Sequence, residues 1–529
     1  MRFKTYIHFV LLLISVCMYP KMIVIDSESV KNTASRDIYD LLSKITVLQG
    51  FSYGIIGQPA EFIRAGKVSS GITLYIDDIY FGRDVNDLSF LSVDQIDNII
   101  IDERSVQNPG ISLYIFTKNY NTEIPVTEIK YRDAFFNYRN LSADIFQNVS
   151  KDFSFHLSGE IMDWKDKREY TDNFKFPYEK QNFRLKLNLP EMFSLKPHFE
   201  TNYLIEDKYR LDSDSAKIKT ETVRSAVYFD HKLYRTYDNR IAFVHIYNES
   251  YSGSNIFNFY DKFSYSDSIK HFDAMLGMTN EKDAGNLTYI NSSFYRKFFI
   301  NAGINGYYAI NEDYDPVFSA HLDLDKDLGA GFSVNSSHGY FMDETNRLSH
   351  TDGLIENYFS VNKIFKLNNS TYNLSTGYDI FDYKNEHEIN YFRIELGAQW
   401  INKIKFSAET VKSASGKIYD AIYQNNISQI SFSDKYFNEK LFINLALNHR
   451  YSEYYIADRM EYANNLSFNL RARIVNFEFF FGSDNFLKDK YEFNNQFYEV
   501  NKHYNYQTVD GFDMRTKDEI WGVRWTFYQ

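Results

Sequence analysis

From about residue 124 to its end, this chain keeps returning to one pattern: short segments in which every second residue is apolar and the residues between are polar or charged. In "NFRLKLNL", Phe183, Leu185, Leu187 and Leu189 alternate with Arg184, Lys186 and Asn188. In "YFRIELGAQW", Phe392, Ile394, Leu396, Ala398 and Trp400 oppose Arg393, Glu395 and Gln399. In "LSFNLRARI", Leu466, Phe468, Leu470, Ala472 and Ile474 oppose Ser467, Asn469, Arg471 and Arg473. A period of two is that of a β-strand with one apolar and one polar face. It leaves little room for any fold but an extended antiparallel sheet.

The connections narrow the choice further. About 22 such segments are joined by links that take turns being short and long. Short ones fall at 151–153, 190–192, 325–327, 368–370, 401–403 and Ile474-Val475. Long polar ones fall at 163–180, 206–216, 279–286, 309–316, 341–353, 451–461 and 485–516, and 230–238 stands out as a longish link where a short one belongs. Unlike ends, alternately visited, are the mark of an up-and-down transmembrane β-barrel with short periplasmic turns and long outer loops. A propeller or sandwich also has many short strands, but a propeller would add a repeat of roughly 40–50 residues. None is visible.

Composition agrees. The 529 residues include 44 Tyr and 47 Phe but only 8 Pro and 23 Gly, and aromatic residues suit strands. The mean hydropathy of -0.44 is low for a membrane protein, yet only alternate barrel residues need to face lipid. A net charge of -12 lacks the basic footprint of a nucleic-acid partner. The last stretch, "EIWGVRWTFYQ", points Trp521, Val523, Trp525 and Phe527 one way and Gly522, Arg524 and Thr526 the other, as a closing strand with aromatics toward lipid and interface would.

The first residues are of another kind. Arg2 and Lys4 precede an apolar run from Ile7 to Val16, which reads as a secretory signal over residues 1–17 with cleavage after Cys17. Lipidation of Cys17, the only cysteine, is the alternative, and Val16 is a poor residue to precede it. Residues 22–120 then read as a mixed α/β unit. "MIVID", "EFIRAG", "GITLYIDD" and "ISLYIFTK" are expected strands, and "VDQIDNIIID" a short helical turn running into a strand. "SRDIYDLLSKI" predicts a helix capped at Ser35, with Asp37 at its positive end and Ile38, Leu41, Leu42 and Ile45 on one face.

This N-terminal unit resembles the plug domain of TonB-dependent outer-membrane receptors. The likeness rests on "SRDIYDLLSKI", "GQPAEFIRAG", "GITLYIDDIYF", "LSVDQIDNIIID" and "ISLYIFTK" in the family's order, and on "WGVRWTFY", which resembles the family's last strand. The resemblance implies a plug over 22–120 inside a barrel over 124–529, set in the outer membrane. It implies uptake of an outside solute by TonB-driven plug movement, and assembly machinery reading Gly522, Trp525 and Phe527. A barrel of about 22 strands is too wide for its own side chains to fill, so a stopper makes physical sense.

The chain also departs from the family. Asp77-Asp78 stands for the usual aspartate-glycine, Arg64-Ala65-Gly66 for arginine-glycine, and "ERSVQNPG" for the arginine-glycine-proline turn. The only candidate for the N-terminal box gripped by TonB is "KMIVID", whose Met22, Ile23 and Val24 double as the first plug strand.

The resemblance places ligand at the outward apices of the plug: Phe51, Tyr53 and Gln58 on one, and Phe81, Arg83 and Asp84 on the other. These residues suit packing beneath loops equally well. Plug–barrel contacts are expected from Arg64, Arg184, Glu395, Arg471 and Arg473, with pore-lining solvated charges as the alternative. "DLDKDLG" (323–329) lacks the glycine and distal glutamate of a calcium loop, and "NEDYDP" (311–316) is a weak cation candidate. We expect no cofactor, no metal and no catalytic residue, since no nucleophile elbow, phosphate loop or metalloprotease helix is present. The competing readings are a plugged barrel without TonB coupling (a passive channel, adhesin or structural protein) and a secreted soluble enzyme.

Overall fold

The alternation folds as expected. The computed structural model describes residues 22–46, 49–51, 61–63, 72–82, 88–102, 111–120, 122–134, 138–165, 177–209, 217–234, 236–249, 254–267, 269–281, 285–297, 301–311, 317–342, 354–367, 369–383, 387–415, 422–456, 459–484, 507–509, 512–513 and 518–528. The expected signal segment, residues 1–17, lies outside them. Twenty-two antiparallel strands close into one barrel, beginning at β8 (Val126–Ala134) and β9 (Tyr138–Asn148). The wall ends with β28 (Phe477–Asp484) and β31 (Asp518–Tyr528); β29 (Gln507–Val509) and β30 (Phe512–Asp513) form a separate pair between them. The last strand seals the cylinder, with Trp525 opposite Phe477 on one side and Ile129 on the other.

Burial confirms which way the faces point. Phe183, Leu157, Phe243, Leu276, Ile304, Leu396, Trp521 and Trp525 are exposed on the outside, and Arg184, Asn182, Arg393, Asn469 and Arg524 are buried on the inside. Apolar outside and polar inside is the reverse of a soluble protein. This is an outer-membrane-type barrel, and among the described residues no helix is long and apolar enough to cross a bilayer.

Several links differ from expectation. Residues 325–327 are not a turn: β19 (Val317–Gly329) continues through them, and the chain reverses at Ala330-Gly331. The long link at 230–238 is also strand, because β13 (Lys217–Tyr234) and β14 (Tyr237–Asn248) extend nearly to each other. Strands likewise run into 451–461, one ending at Ile456 and the next beginning at Arg459.

Inside sits a five-stranded mixed sheet in the order β1-β6-β7-β4-β5. These are β1 (Met22–Ile25), β4 (Ile72–Ile76), β5 (Ile79–Gly82), β6 (Ile96–Asp102) and β7 (Ile111–Thr117); β2 (Gln49–Phe51) and β3 (Glu61–Ile63) pair separately. Among the described strands only β4 and β7 pair in parallel. Helix α1 (Ser27–Asn32) is capped by Asp26, whose carboxylate accepts from the Ser29 N–H at 2.7 Å. Helix α2 (Ile38–Ile45) is capped by Asp37 rather than Ser35, and Asp37 accepts from the Asp40 N–H at 2.7 Å. Ile38, Leu41 and Leu42 of α2 pack with Ile72, Leu74, Ile99, Ile101 and Leu113 into a core that continues onto wall residues Leu204, Tyr260 and Tyr289. The plug therefore lies within the lumen.

Candidate functional site at the plug–barrel interface

Two aspartates of the plug carry most of its ionic ties to the wall. Asp77 and Asp78 form the β4–β5 turn at φ 50° and 64°, left-handed values that favour glycine and that aspartate tolerates better than most residues. The Asp77 carboxylate accepts from the Thr117 N–H at 2.8 Å and the Thr117 hydroxyl at 2.6 Å, which ties the turn to β7. From β11 (Pro177–Asn188), Arg184 Nη2 reaches it at 3.1 Å and Lys186 Nζ at 2.9 Å. Arg240 of β14 donates to the Asp77 carbonyl at 3.2 Å while gripping Asp230 at 2.6 and 3.0 Å. Burial would raise the Asp77 pKa, but Lys186, Arg184 and the Thr117 bonds outweigh it and hold the carboxyl at about 2.

Asp94 is the second tie. It sits in a 3-10 turn, Val93–Gln95, whose N-cap is Ser92. Its carboxylate meets Lys130 and Arg132 of β8 and accepts from the Ser142 hydroxyl of β9 at 3.0 Å, with Arg524 of β31 at 3.9 Å. Burial pushes its pKa up, yet Arg132 and Lys130 force it far below the usual carboxylate range. The network spreads along the seam where the barrel closes. Arg524 lies 3.3 Å from Glu128 and 3.2 Å from Glu478; Lys118 of the plug lies 2.5 Å from Glu128. Arg471 bridges Glu478 at 2.5 Å and Asn32 of α1 at 2.8 Å.

Elsewhere the grip is more varied. The Phe90 carbonyl accepts from Asn182 at 2.8 Å and Asn202 at 3.1 Å, and the Arg224 guanidinium lies 3.7 Å from the Phe90 ring centre. Tyr80 gives its N–H to Tyr260 at 3.2 Å and takes a bond from Asn258 at 3.2 Å, and its ring meets Tyr289 edge-on at 5.4 Å. Ser92 donates to Glu160 at 2.9 Å. Near the helices, the Ala34 N–H donates to Asn469 at 3.1 Å, and Lys44 lies 2.9 Å from Asp484.

The residues singled out by sequence fall in several places. Arg184 and Arg471 touch the plug as described. Glu395 is half-buried, paired in register with Ser375 and Glu409. Arg473 is exposed near the periplasmic end of its strand, 5.5 Å from the Phe442 ring centre. Phe81 lies in β5, 5% exposed, within the plug core. Phe51 belongs to β2 by its backbone, while Tyr53, Gln58, Arg64, Arg83 and Asp84 lie outside the described residues. Met22, Ile23 and Val24 form β1, paired antiparallel to β6 at the edge of the plug sheet. Residues 312–316 of the cation candidate lie outside the described residues, and 323–329 are strand. Among the described residues no three His, Cys, Asp or Glu side chains gather as a metal site.

Sequence reasoning missed Asp94 and its partners Lys130 and Arg132. It noticed Asp77 only as a departure from a pattern, and Arg524 only as facing inward.

No family model matches the sequence, and no curated protein matches it either. Solved structures do. A mutant of the ferric enterobactin receptor PfeA from Pseudomonas aeruginosa superposes with a TM-score of 0.72 at 10% identity, covering 96% of this chain and 98% of that one. The siderophore receptor PirA from Acinetobacter baumannii gives 0.72 at 8%, covering 96% and 98%. The FrpB iron transporter from Neisseria meningitidis gives 0.70 at 9%, covering 96% and 99%. At such identities the likeness is one of fold. The chain has the fold of the TonB-dependent outer-membrane receptors.

Proposed function

We propose that this protein is an outer-membrane receptor that binds an extracellular solute and imports it when TonB-driven movement frees the plug from the wall. One observation carries the reading: a folded unit stoppers the lumen, and beside its apolar contact with Leu204, Tyr260 and Tyr289 it is held by ionic and hydrogen-bonded ties concentrated at Asp77 and Asp94. Ionic and hydrogen-bonded ties can be exchanged for water when pulled, whereas a continuous apolar seal would resist wetting. The proteins of similar fold named above are receptors for ferric enterobactin and siderophores and an iron transporter, so iron chelates are the first solutes to test. On this reading Phe51, Tyr53, Gln58, Arg83 and Asp84 belong to the outward face that meets ligand. Phe81 supports that face from beneath.

Met22, Ile23 and Val24 are the proposed TonB contact. Removing residues 18–26 should abolish uptake and TonB binding while leaving a heat-modifiable barrel band on a gel. Normal uptake after that deletion would defeat the proposal.

A second reading has its own support. β1 is paired to β6 from Met22 to Ile25, so the candidate box is a member of the plug sheet. A plugged barrel without TonB coupling would behave this way. It predicts that the deletion leaves any solute flux unchanged.

A further inference from the structure

Four periplasmic turns carry a bulky apolar residue where water would favour a small polar one. Turns exposed to solvent favour glycine, asparagine and aspartate, above all where the backbone is left-handed. Here Phe193, Ile401, Phe437 and Val475 occupy left-handed positions, at φ 55°, 51°, 53° and 54°. Each is largely exposed, at 99%, 66%, 77% and 63%. Ile401 and Val475 are β-branched, the class for which such a backbone is most strained. Four strained turns, three of them successive along the rim and each with an exposed bulky apolar side chain, need an apolar environment to repay the strain.

The turns continue the apolar outer face of the wall. Leu195 follows Phe193, Ile404 follows Ile401, and Phe477 follows Val475 at the ends of lipid-facing rows. Cations accompany them. Lys196 and Lys440 are exposed at two of these four turns and Lys151 and Lys297 at two other reversals, with Asp152 exposed next to Lys151 and Glu191 in the turn of Phe193. At a further turn Lys363 donates to the Ala330 carbonyl at 2.5 Å and lies 3.6 Å from the Phe332 ring centre, its stem along the apolar face. In the 437–440 turn, Glu439 is taken by Lys435 at 3.0 Å, and Lys440 is exposed beside it. An apolar insert with an ammonium at its edge is the arrangement of a side chain that snorkels to a lipid headgroup.

We infer that the periplasmic rim is a lipid-binding collar. Its turn residues insert into the inner leaflet of the outer membrane, and its lysines take the phosphates of anionic phospholipids. The membrane boundary then lies at or below the turns, not above them. This does not depend on what the barrel imports.

The test places single cysteines at Phe437→Cys and Val475→Cys in a Cys17→Ser background, each labelled with a nitroxide. The protein is put into vesicles of phosphatidylethanolamine and phosphatidylglycerol, with heat-modifiable migration confirming the fold. Both labels should collide more readily with oxygen than with a water-soluble nickel chelate. Native mass spectrometry of the otherwise unmutated protein should show phosphatidylglycerol retained over phosphatidylethanolamine. Lys363→Gln and Lys440→Gln should each weaken that retention about fivefold. Labels open to the nickel chelate would overturn the inference, as would equal retention of the two lipids. Protection that arises only on adding periplasmic extract would overturn it in favour of a protein partner.

Discussion

A β-carbon added to Gly482 of the barrel would stand 2.5 Å from the β-carbon of Ala34 in the plug. It would also meet Asn469 Oδ1 at 3.0 Å, the atom that accepts from the Ala34 N–H. Glycine is needed here for close approach between two domains. Gly482→Ala should therefore unseat this corner of the plug at a cost of about 1–3 kcal/mol. Faster hydrogen exchange over residues 27–45 would register it. Ala34→Gly in the same chain should restore most of the loss, and failure of that rescue would show that the two residues do not meet.

The tie at Asp77 responds to pH in a known direction. Its folded pKa, about 2 against an ordinary 3.8, is depressed, so the stabilisation is fully present above the ordinary value and is lost as pH falls through about 2. The shift is worth roughly 2–3 kcal/mol. Plug protection measured by hydrogen exchange should be flat from neutral pH down to about 4 and then decline. Asp77→Asn, which keeps the turn, should remove that part of the decline. An identical acid profile in the variant would assign the decline to other carboxylates.

The neighbouring aspartate predicts the opposite sign. Asp78 is exposed at φ 64°. Asp78→Gly relieves the left-handed strain and should stabilise the plug by about 1 kcal/mol. Asp77→Gly would relieve similar strain at φ 50° but lose the ties to Thr117, Arg184 and Lys186, so it should destabilise. Thermal melts of the two variants should move in opposite directions.

The misread links share one cause. In a wide barrel the inner wall is as polar as a turn, so lumen-facing residues imitate a chain reversal. Asp325 looked like part of a turn, yet it faces inward and accepts from Asn301 on the neighbouring strand at 3.0 Å. The link 230–238 read as a longish connection, yet Asp230 is a wall residue that pairs with Arg240 of the next strand. Alternation itself was legible because lipid enforces it on the other face, and so was which way Trp521, Gly522, Arg524 and Trp525 face in the last strand. α1 was passed over because six residues with only Val30 buried give no periodic signal. The sequence places the cap at Ser35 and Asp37 within the first turn, whereas in the fold the helix begins after Asp37, which is itself the cap. The Asp94 network was invisible for a simpler reason: Lys130, Arg132 and Arg524 lie from 36 to 430 residues away in the chain.

That network also lends itself to the sharpest test of the proposed function. Arg132 is fully buried, and Lys130 nearly so, around a carboxylate that is itself buried. Asp94→Asn leaves both cations without their countercharge and should loosen the plug by about 3–5 kcal/mol. Arg524→Ala should be milder, because Glu128 keeps Lys118, Glu478 keeps Arg471, and Asp94 keeps its two closer partners. Replacing the group together, as Asp94→Leu with Lys130→Met and Arg132→Met, removes the charges along with their desolvation cost and should return plug stability to near or above that of the parent. If polar ties exist so that the plug can be released, this stable triple variant should import solute more slowly than the parent. Unimpaired uptake in a plug seated as firmly as the parent's would show that the ionic ties serve seating alone.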